Sequence, residues 1–369
     1  MIRKPKRNLL FGITIGLPIV AIVAYRLFFP GIPFLLDYMK PSNFEGTYSV
    51  RERRIDADGR TVPLRIYTPS DKIPKGTILL VHGVHNDGYY EKRLIHFTTT
   101  LAHNGFRVVT PDIDDLKQYH IVERAVKDIN AAALWLLNDS GLIGQTDKFA
   151  LWGISFAGGL CLSLCATPRL RDRISSSFSF GGHGDLDRTM QYLMTGETQG
   201  EHLRPHVYGQ AVLVRRFADR LVPAPQVFPL QQMIYEYLRG NYKIARQRSA
   251  QSQKESRTLF QLIFRRDVDT LGAILKSKVG KPVTAKALSA VKGPAPACAV
   301  FLLHGSSDNV IPRGELETLK EWAVQSEKSK VYALVSPVIS HVELEENPSS
   351  QLMEYVRIIR FWNELLRNS

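Results

Sequence analysis

Short β-rich runs recur along the chain at 77–81, 107–110, 149–152, 174–180, 299–303 and 330–335, and most gaps between them carry helical periodicity, as at 90–104 and 121–138. Strands that alternate with helices are joined by crossovers, and such crossovers build a mostly parallel sheet covered on both faces. Two further stretches, 48–55 and 61–67, flank the turn signal Asp56-Ala57-Asp58-Gly59 and predict an antiparallel hairpin at one sheet edge. The expectation is an α/β fold built on eight strands. One gap breaks the rhythm: well over a hundred residues separate 174–180 from 299–303, where a crossover needs about a dozen. Within it, 226–238 and 258–276 carry apolar residues three and four apart, which predicts a helical cap inserted after the sixth strand.

Composition excludes several alternatives. With 44% hydrophobic and 22% charged residues the chain is ordinary for a globular protein, so it is neither disordered nor a polytopic membrane protein. Three cysteines cannot form a disulfide framework, and Cys161 and Cys165 are four apart rather than in a C-x-x-C pair. No metal or cofactor motif is visible. The net charge of +13 resolves into two patches: residues 1–7 carry four cations and no acid, and residues 201–292 carry 17 Lys and Arg against 6 Asp and Glu. The remainder is slightly acidic, and no nucleic-acid-binding motif accompanies the patches, so nucleic acid is not an expected partner.

The first patch precedes 17 residues without a charge, 9–25, the short end of what spans a bilayer. A cleaved signal peptide begins in the same way, but the one small-residue site, near Ala24, is followed by Tyr25, Leu27, Phe28 and Phe29. These bulky residues favour an uncleaved anchor. Cations before the span place the N-terminus in the cytoplasm by the positive-inside rule, and the catalytic part outside it. The expected organisation is an anchor with a Pro/Gly-rich connection over 1–40, a core over 41–183, the cap over 184–295 and the rest of the core over 296–369. The second patch, with Arg215, Arg216, Arg220, Arg265 and Arg266, is a candidate surface for anionic headgroups, or else a solvated cap face.

Chemistry is concentrated at strand ends. Leu151-Trp152-Gly153-Ile154-Ser155-Phe156-Ala157-Gly158-Gly159 runs from strand through a tight turn into helix, with small residues two before and two after Ser155. That spacing lets the turn close and expose a nucleophilic hydroxyl, with Ala157 where glycine is usual. The bland alternative is a strand-to-helix turn with a capping serine. Val81-His82-Gly83-Val84 ends another strand, where an oxyanion donor would sit. Asp308 follows the strand Phe301-Leu302-Leu303-His304-Gly305, and His341 follows the last strand. Nucleophile, acid and histidine thus occur in the order Ser155, Asp308, His341, and His341 is the only histidine after Asp308. Asp185 and Asp187, after the sixth strand, are alternative acids. His82 and His85 could touch substrate or orient their loop. Tyr235, Tyr237, Tyr242, Phe260 and Phe264 could line an apolar pocket or form the core of the cap.

From about Thr61 to its end the chain resembles the α/β-hydrolase superfamily, nearest to its dienelactone-hydrolase-like and prolyl-oligopeptidase-like esterases. The strings that carry the resemblance are Leu80-Val81-His82-Gly83, Gly105-Phe106-Arg107-Val108-Val109-Thr110-Pro111-Asp112, the turn around Ser155, and His304-Gly305-Ser306-Ser307-Asp308. Lipase-type His-Gly-Gly-Gly is absent. The resemblance implies a serine hydrolase acting on a small-molecule or lipid-like ester, with Val84 and Phe156 giving backbone N–H groups to an oxyanion hole. An acyltransferase or peptidase on the same fold, or a non-catalytic anchored binding protein, are the other readings. The oligomeric state is left open.

Overall fold

The computed structural model describes residues 25, 27–40, 44–339 and 352–369. Strands β1 (Tyr48–Ala57) and β2 (Arg60–Pro69) form the expected hairpin, closed by Asp58 and Gly59, both at positive φ. Two positive φ values in a two-residue loop match the twist of the strands it joins. β1 is an edge strand whose exposed Arg51, Glu52, Arg53 and Arg54 keep other strands from pairing with it. Then follow β3 (Thr77–Val81), β4 (Arg107–Pro111), β5 (Phe149–Ile154), β6 (Ile174–Phe180), β7 (Ala299–Gly305) and β8 (Val331–Ser336). The eight strands lie in the order β1-β2-β4-β3-β5-β6-β7-β8. β2 is antiparallel to both of its neighbours and all later pairings are parallel.

The central strands β3 (Thr-Ile-Leu-Leu-Val) and β5 (Phe-Ala-Leu-Trp-Gly-Ile) are almost wholly apolar because both of their faces are covered. Ile78 and Leu80 face one core, and Leu79 and Val81 face the other. On the first side pack α1 (Gly31–Met39), α2 (Lys92–His103) and the C-terminal helix Leu352–Arg367 around an aromatic centre. There Trp152 lies 5.1 Å from Phe178 and 6.1 Å from Phe97, ring centre to ring centre, and Trp362 meets Phe34 at 4.9 Å. On the second side pack α3 (Glu123–Asn138) and α4 (Phe156–Leu164), with Cys161 and Cys165 as small buried core residues.

Between β6 and β7 run α5 (Leu186–Thr195), α6 (Val207–Arg216), α7 (Ala224–Leu238), α8 (Tyr242–Gln251), α9 (Lys254–Phe264) and α10 (Val268–Val279). The helix expected over 258–276 is two helices. Arg266 adopts φ 56°, the Asp267 N–H returns to the Leu262 carbonyl, and the Asp267 carboxylate caps α10 at the Thr270 N–H. A capping aspartate begins a new helix at the point where the left-handed residue ends the old one.

Two further expectations change. The Pro/Gly-rich connection folds over 31–39 as α1, whose Phe34 is fully buried. Gly31 lets α1 approach the C-terminal helix, since a Cβ there would sit 2.5 Å from the Ile359 carbonyl oxygen. The expected anchor, apart from Tyr25, lies outside the described residues. Among the described residues no helix is long and apolar enough to cross a membrane.

The basic patch is also less of a surface than its sequence suggests. Arg215 is 5% exposed, donates to the Gln118 carbonyl, contacts His120 Nε2 and lies over the Tyr235 ring. Arg216 donates to the Ile121 carbonyl at 3.0 Å, and Arg220 donates to the Val279 carbonyl at 3.2 Å. These carbonyls at the end of the Asp114–Ile121 segment and of α10 need donors, and the guanidinium groups supply them. Arg220, despite that bond, and Arg265 and Arg266 remain exposed.

Candidate active site

Ser155 sits between β5 and α4 at φ 54°, ψ −135°, a conformation that costs a non-glycine residue about 1–3 kcal/mol. Its N–H donates to the Phe180 carbonyl at 2.7 Å and its carbonyl accepts from the Gly158 N–H at 2.8 Å, which pins the turn on both sides. Its side chain makes no capping bond to α4. Glycines make the turn possible. A Cβ on Gly153 would meet the Ala157 carbonyl oxygen at 2.4 Å, and one on Gly159 would meet the His183 carbonyl oxygen at 2.3 Å. Ala157, fully buried in the core beneath the turn, accommodates its methyl where glycine is usual.

The loop after β3 passes directly over this turn. A Cβ on Gly83 would lie 3.3 Å from the Ser155 Cβ. His82 is buried, accepts the Ile113 N–H on Nε2 at 3.0 Å and therefore donates from Nδ1 to the Gly83 carbonyl at 2.7 Å. Burial holds its pKa below the ordinary value, so it is a neutral ring that orients the loop. Val84 follows, and its carbonyl accepts a 2.6 Å hydrogen bond from the Tyr208 hydroxyl of α6. Burial drives the Tyr208 phenol far above its usual pKa, which keeps it a donor.

Asp308 lies beyond β7 with a buried side chain. Its Oδ1 accepts from the Val310 and Ile311 N–H groups at 2.9 and 3.0 Å. His304 Nε2 lies 3.2 Å from Oδ2 and 2.8 Å from the Ile311 carbonyl oxygen. Burial opposes a charge on His304, but the hydrogen bond and negative charge of Asp308 outweigh it and raise its pKa. The cap reaches this loop as well: the Asn309 carbonyl accepts from the Tyr192 hydroxyl at 3.0 Å and from the His206 N–H at 2.8 Å.

One cavity of about 440 Å³ joins these parts, with Ser155, Gly83 and Val84 on one side and Ser307, Asn309 and Val310 on the other. That volume suits a small-molecule site. Phe156 begins α4 directly after Ser155. His341 lies outside the described residues, while Ile339, two residues before it, lines the same cavity. The alternative acids are engaged elsewhere. Asp185 caps α5 through the Asp187 N–H, and both carboxylates pair with Lys292, at 3.2 and 2.5 Å. His85 lines the cavity, but none of Tyr235, Tyr237, Tyr242, Phe260 and Phe264 does. Those aromatics pack among the cap helices, as with Tyr237 on Phe260 at 6.2 Å. Two contacts at this candidate site were not announced by the sequence, that of His304 with Asp308 and that of Tyr208 with Val84. His304 lay within a motif already marked by Asp308, whereas Tyr208 had no signal at all.

No protein-family model matches this sequence, and no curated protein does. Among solved structures, a candidate hydrolase from Legionella pneumophila aligns at a TM-score of 0.54 over 92% of this chain and 95% of that one, with 14% identity. A thermostable esterase from Pseudomonas putida aligns at 0.47 over 91% of this chain and 88% of that one, also with 14% identity. An acylaminoacyl peptidase aligns at 0.42 and 13% identity, over 80% of this chain, which spans only 38% of the peptidase. At such identities the likeness is one of fold, and the first of the three carries it. The chain has the α/β-hydrolase fold: a mostly parallel eight-stranded sheet with flanking helices.

Proposed function

We propose that this protein is a serine hydrolase that cleaves a carboxylic ester through an acyl-enzyme on Ser155. The observation that carries the reading is the turn at Ser155, held at a strained positive φ between the end of β5 and the start of α4 and opening on the cavity. A neutral hydroxyl is a poor nucleophile, so a base must take its proton as the bond to the carbonyl carbon forms. His341 is assigned that role, and Asp308 is assigned to hold its imidazole in the productive tautomer without accepting the proton. Two backbone N–H bonds and His304 fix the Asp308 carboxylate, which suits an orienting acid. The N–H groups of Val84 and Phe156 would bind the developing oxyanion, each such donor being worth about 2.7–4 kcal/mol of barrier. Collapse of the tetrahedral intermediate releases the alcohol with the proton from the histidine. Water, deprotonated by the same histidine, then attacks the acyl carbon, and the acid departs as Ser155 regains its proton.

The segment 184–295 is assigned as the cap of this site and 296–369 as the closing part of the core. Residues 9–25 would tether the enzyme to a membrane, with the catalytic part on the extracytoplasmic side. A panel of p-nitrophenyl esters tests the catalytic reading. Wild-type protein should turn over at least one, and Ser155→Ala should lose activity by a factor of at least about 10³. Equal turnover by the two proteins would overturn it.

A further inference from the structure

The cavity at Ser155 extends well beyond the groups assigned to catalysis. On the first side of the sheet it runs between Leu94 and Phe97 of α2, Trp362 of the C-terminal helix, and Leu35 and Tyr38 of α1. This arm is walled mainly by hydrocarbon and aromatic rings, with the charged Glu91 and Arg93 also lining the cavity near the start of α2, and α1 supplies part of the wall although it precedes the stretch that resembles hydrolases. α1 is firmly held. His96 Nε2 bonds the Tyr38 carbonyl oxygen at 2.7 Å, the His96 and Tyr38 rings stack at 5.0 Å, and Asn104 donates to the Asp37 carboxylate at 3.1 Å. At the far end Arg367 bonds the Phe29 carbonyl oxygen at 2.8 Å. A wall fixed at both ends gives a preformed arm, and a preformed apolar arm binds an apolar chain without the cost of ordering the protein.

Resting on the ester-hydrolase reading, we propose that this arm receives the aliphatic acyl chain of the substrate and that Leu35 of α1 sets the chain length accepted. Each methylene buried in such a site raises kcat/KM about fourfold until the arm is full. An acetyl group would leave the arm empty, so the preferred esters carry longer acyl chains.

The test is kcat/KM for p-nitrophenyl esters from acetate to dodecanoate, measured on the full chain and on Leu35→Ala and Leu35→Phe, with thermal unfolding to confirm the fold of each. The wild type should climb to an optimum beyond acetate and then fall. Leu35→Ala should move the optimum to longer chains, and Leu35→Phe to shorter ones, each changing the octanoate-to-acetate ratio by about fourfold or more in opposite directions. Mere destabilisation scales all esters together and leaves the ratio unmoved. A flat wild-type profile, or variants whose ratios match the wild type while Ser155 still reacts with a fluorophosphonate, overturns the acyl-arm assignment alone. No ester turnover together with no reaction at Ser155 overturns the hydrolase reading and this inference with it.

Discussion

Gly153→Ala isolates the geometry that makes Ser155 a nucleophile. The added methyl would lie 2.4 Å from the Ala157 carbonyl oxygen, 2.5 Å from its carbon and 2.6 Å from the Gly158 nitrogen. All three are main-chain atoms at the start of α4, so no rotamer change relieves the clash. The turn must open, and overpacking of this kind costs about 1–3 kcal/mol. Displacing a nucleophile by even about 1 Å lowers turnover about 100-fold. Gly293→Ala is the control, because its nearest neighbour would be the Ala290 carbonyl oxygen at 3.4 Å, an ordinary contact. Urea unfolding and ester hydrolysis measured on both variants should show Gly153→Ala about 1–3 kcal/mol less stable and 10- to 100-fold less active, with the control within about 0.5 kcal/mol of wild type. If Gly153→Ala matches its control in both assays, the turn does not depend on the close approach described and the account of Ser155 fails.

Asp308→Asn should fold but lose about four orders of magnitude in kcat through the wrong histidine tautomer, whereas Asp185→Asn should remain near wild type, and the reverse pattern in a steady-state assay would move the acid to the end of β6. His82 predicts a pH dependence: its folded pKa is depressed, so below the unfolded value the unfolded chain takes up a proton that the native ring refuses, and stability falls as pH drops from 7.5 to 5.5. Its share is at most about 1.4 kcal/mol per pH unit, and urea denaturation of His82→Gln should show a shallower slope than the wild type, an unchanged slope counting against the assignment. Arg215→Leu strips the Gln118 carbonyl of its donor and should cost about 1–3 kcal/mol, while exposed Arg265→Leu should stay within about 0.5 kcal/mol; comparable losses in urea unfolding would contradict the structural role of Arg215.

Much of this fold is legible because its signals are local. Continuous apolar runs such as Thr-Ile-Leu-Leu-Val at β3 mark strands buried on both faces, and Asp58-Gly59 marks a two-residue hairpin. The turn at Ser155 was legible for the same reason, since Gly153 and the small residues after it are steric requirements written within nine positions. What escaped depends on distance along the chain. Arg215 reads as a surface cation until the carbonyl of Gln118, 97 residues away, is placed against it. Tyr208 reads as cap until it reaches Val84 across 124 residues. The α1 helix was masked by Pro30, Gly31 and Pro33, which suggest a linker, although Pro33 falls in the first turn where a missing N–H is harmless and Gly31 is what lets the helix dock. The break between α9 and α10 was hidden because Arg266 carries no sign of a left-handed backbone.

The most direct test of the central claim is to react the full-length protein with a fluorophosphonate and locate the adduct by peptide mass spectrometry. A single adduct on Ser155, abolished by Ser155→Ala and strongly slowed by Asp308→Asn, is the predicted result. An adduct on another residue, or none under conditions that label a control serine hydrolase, would contradict the account.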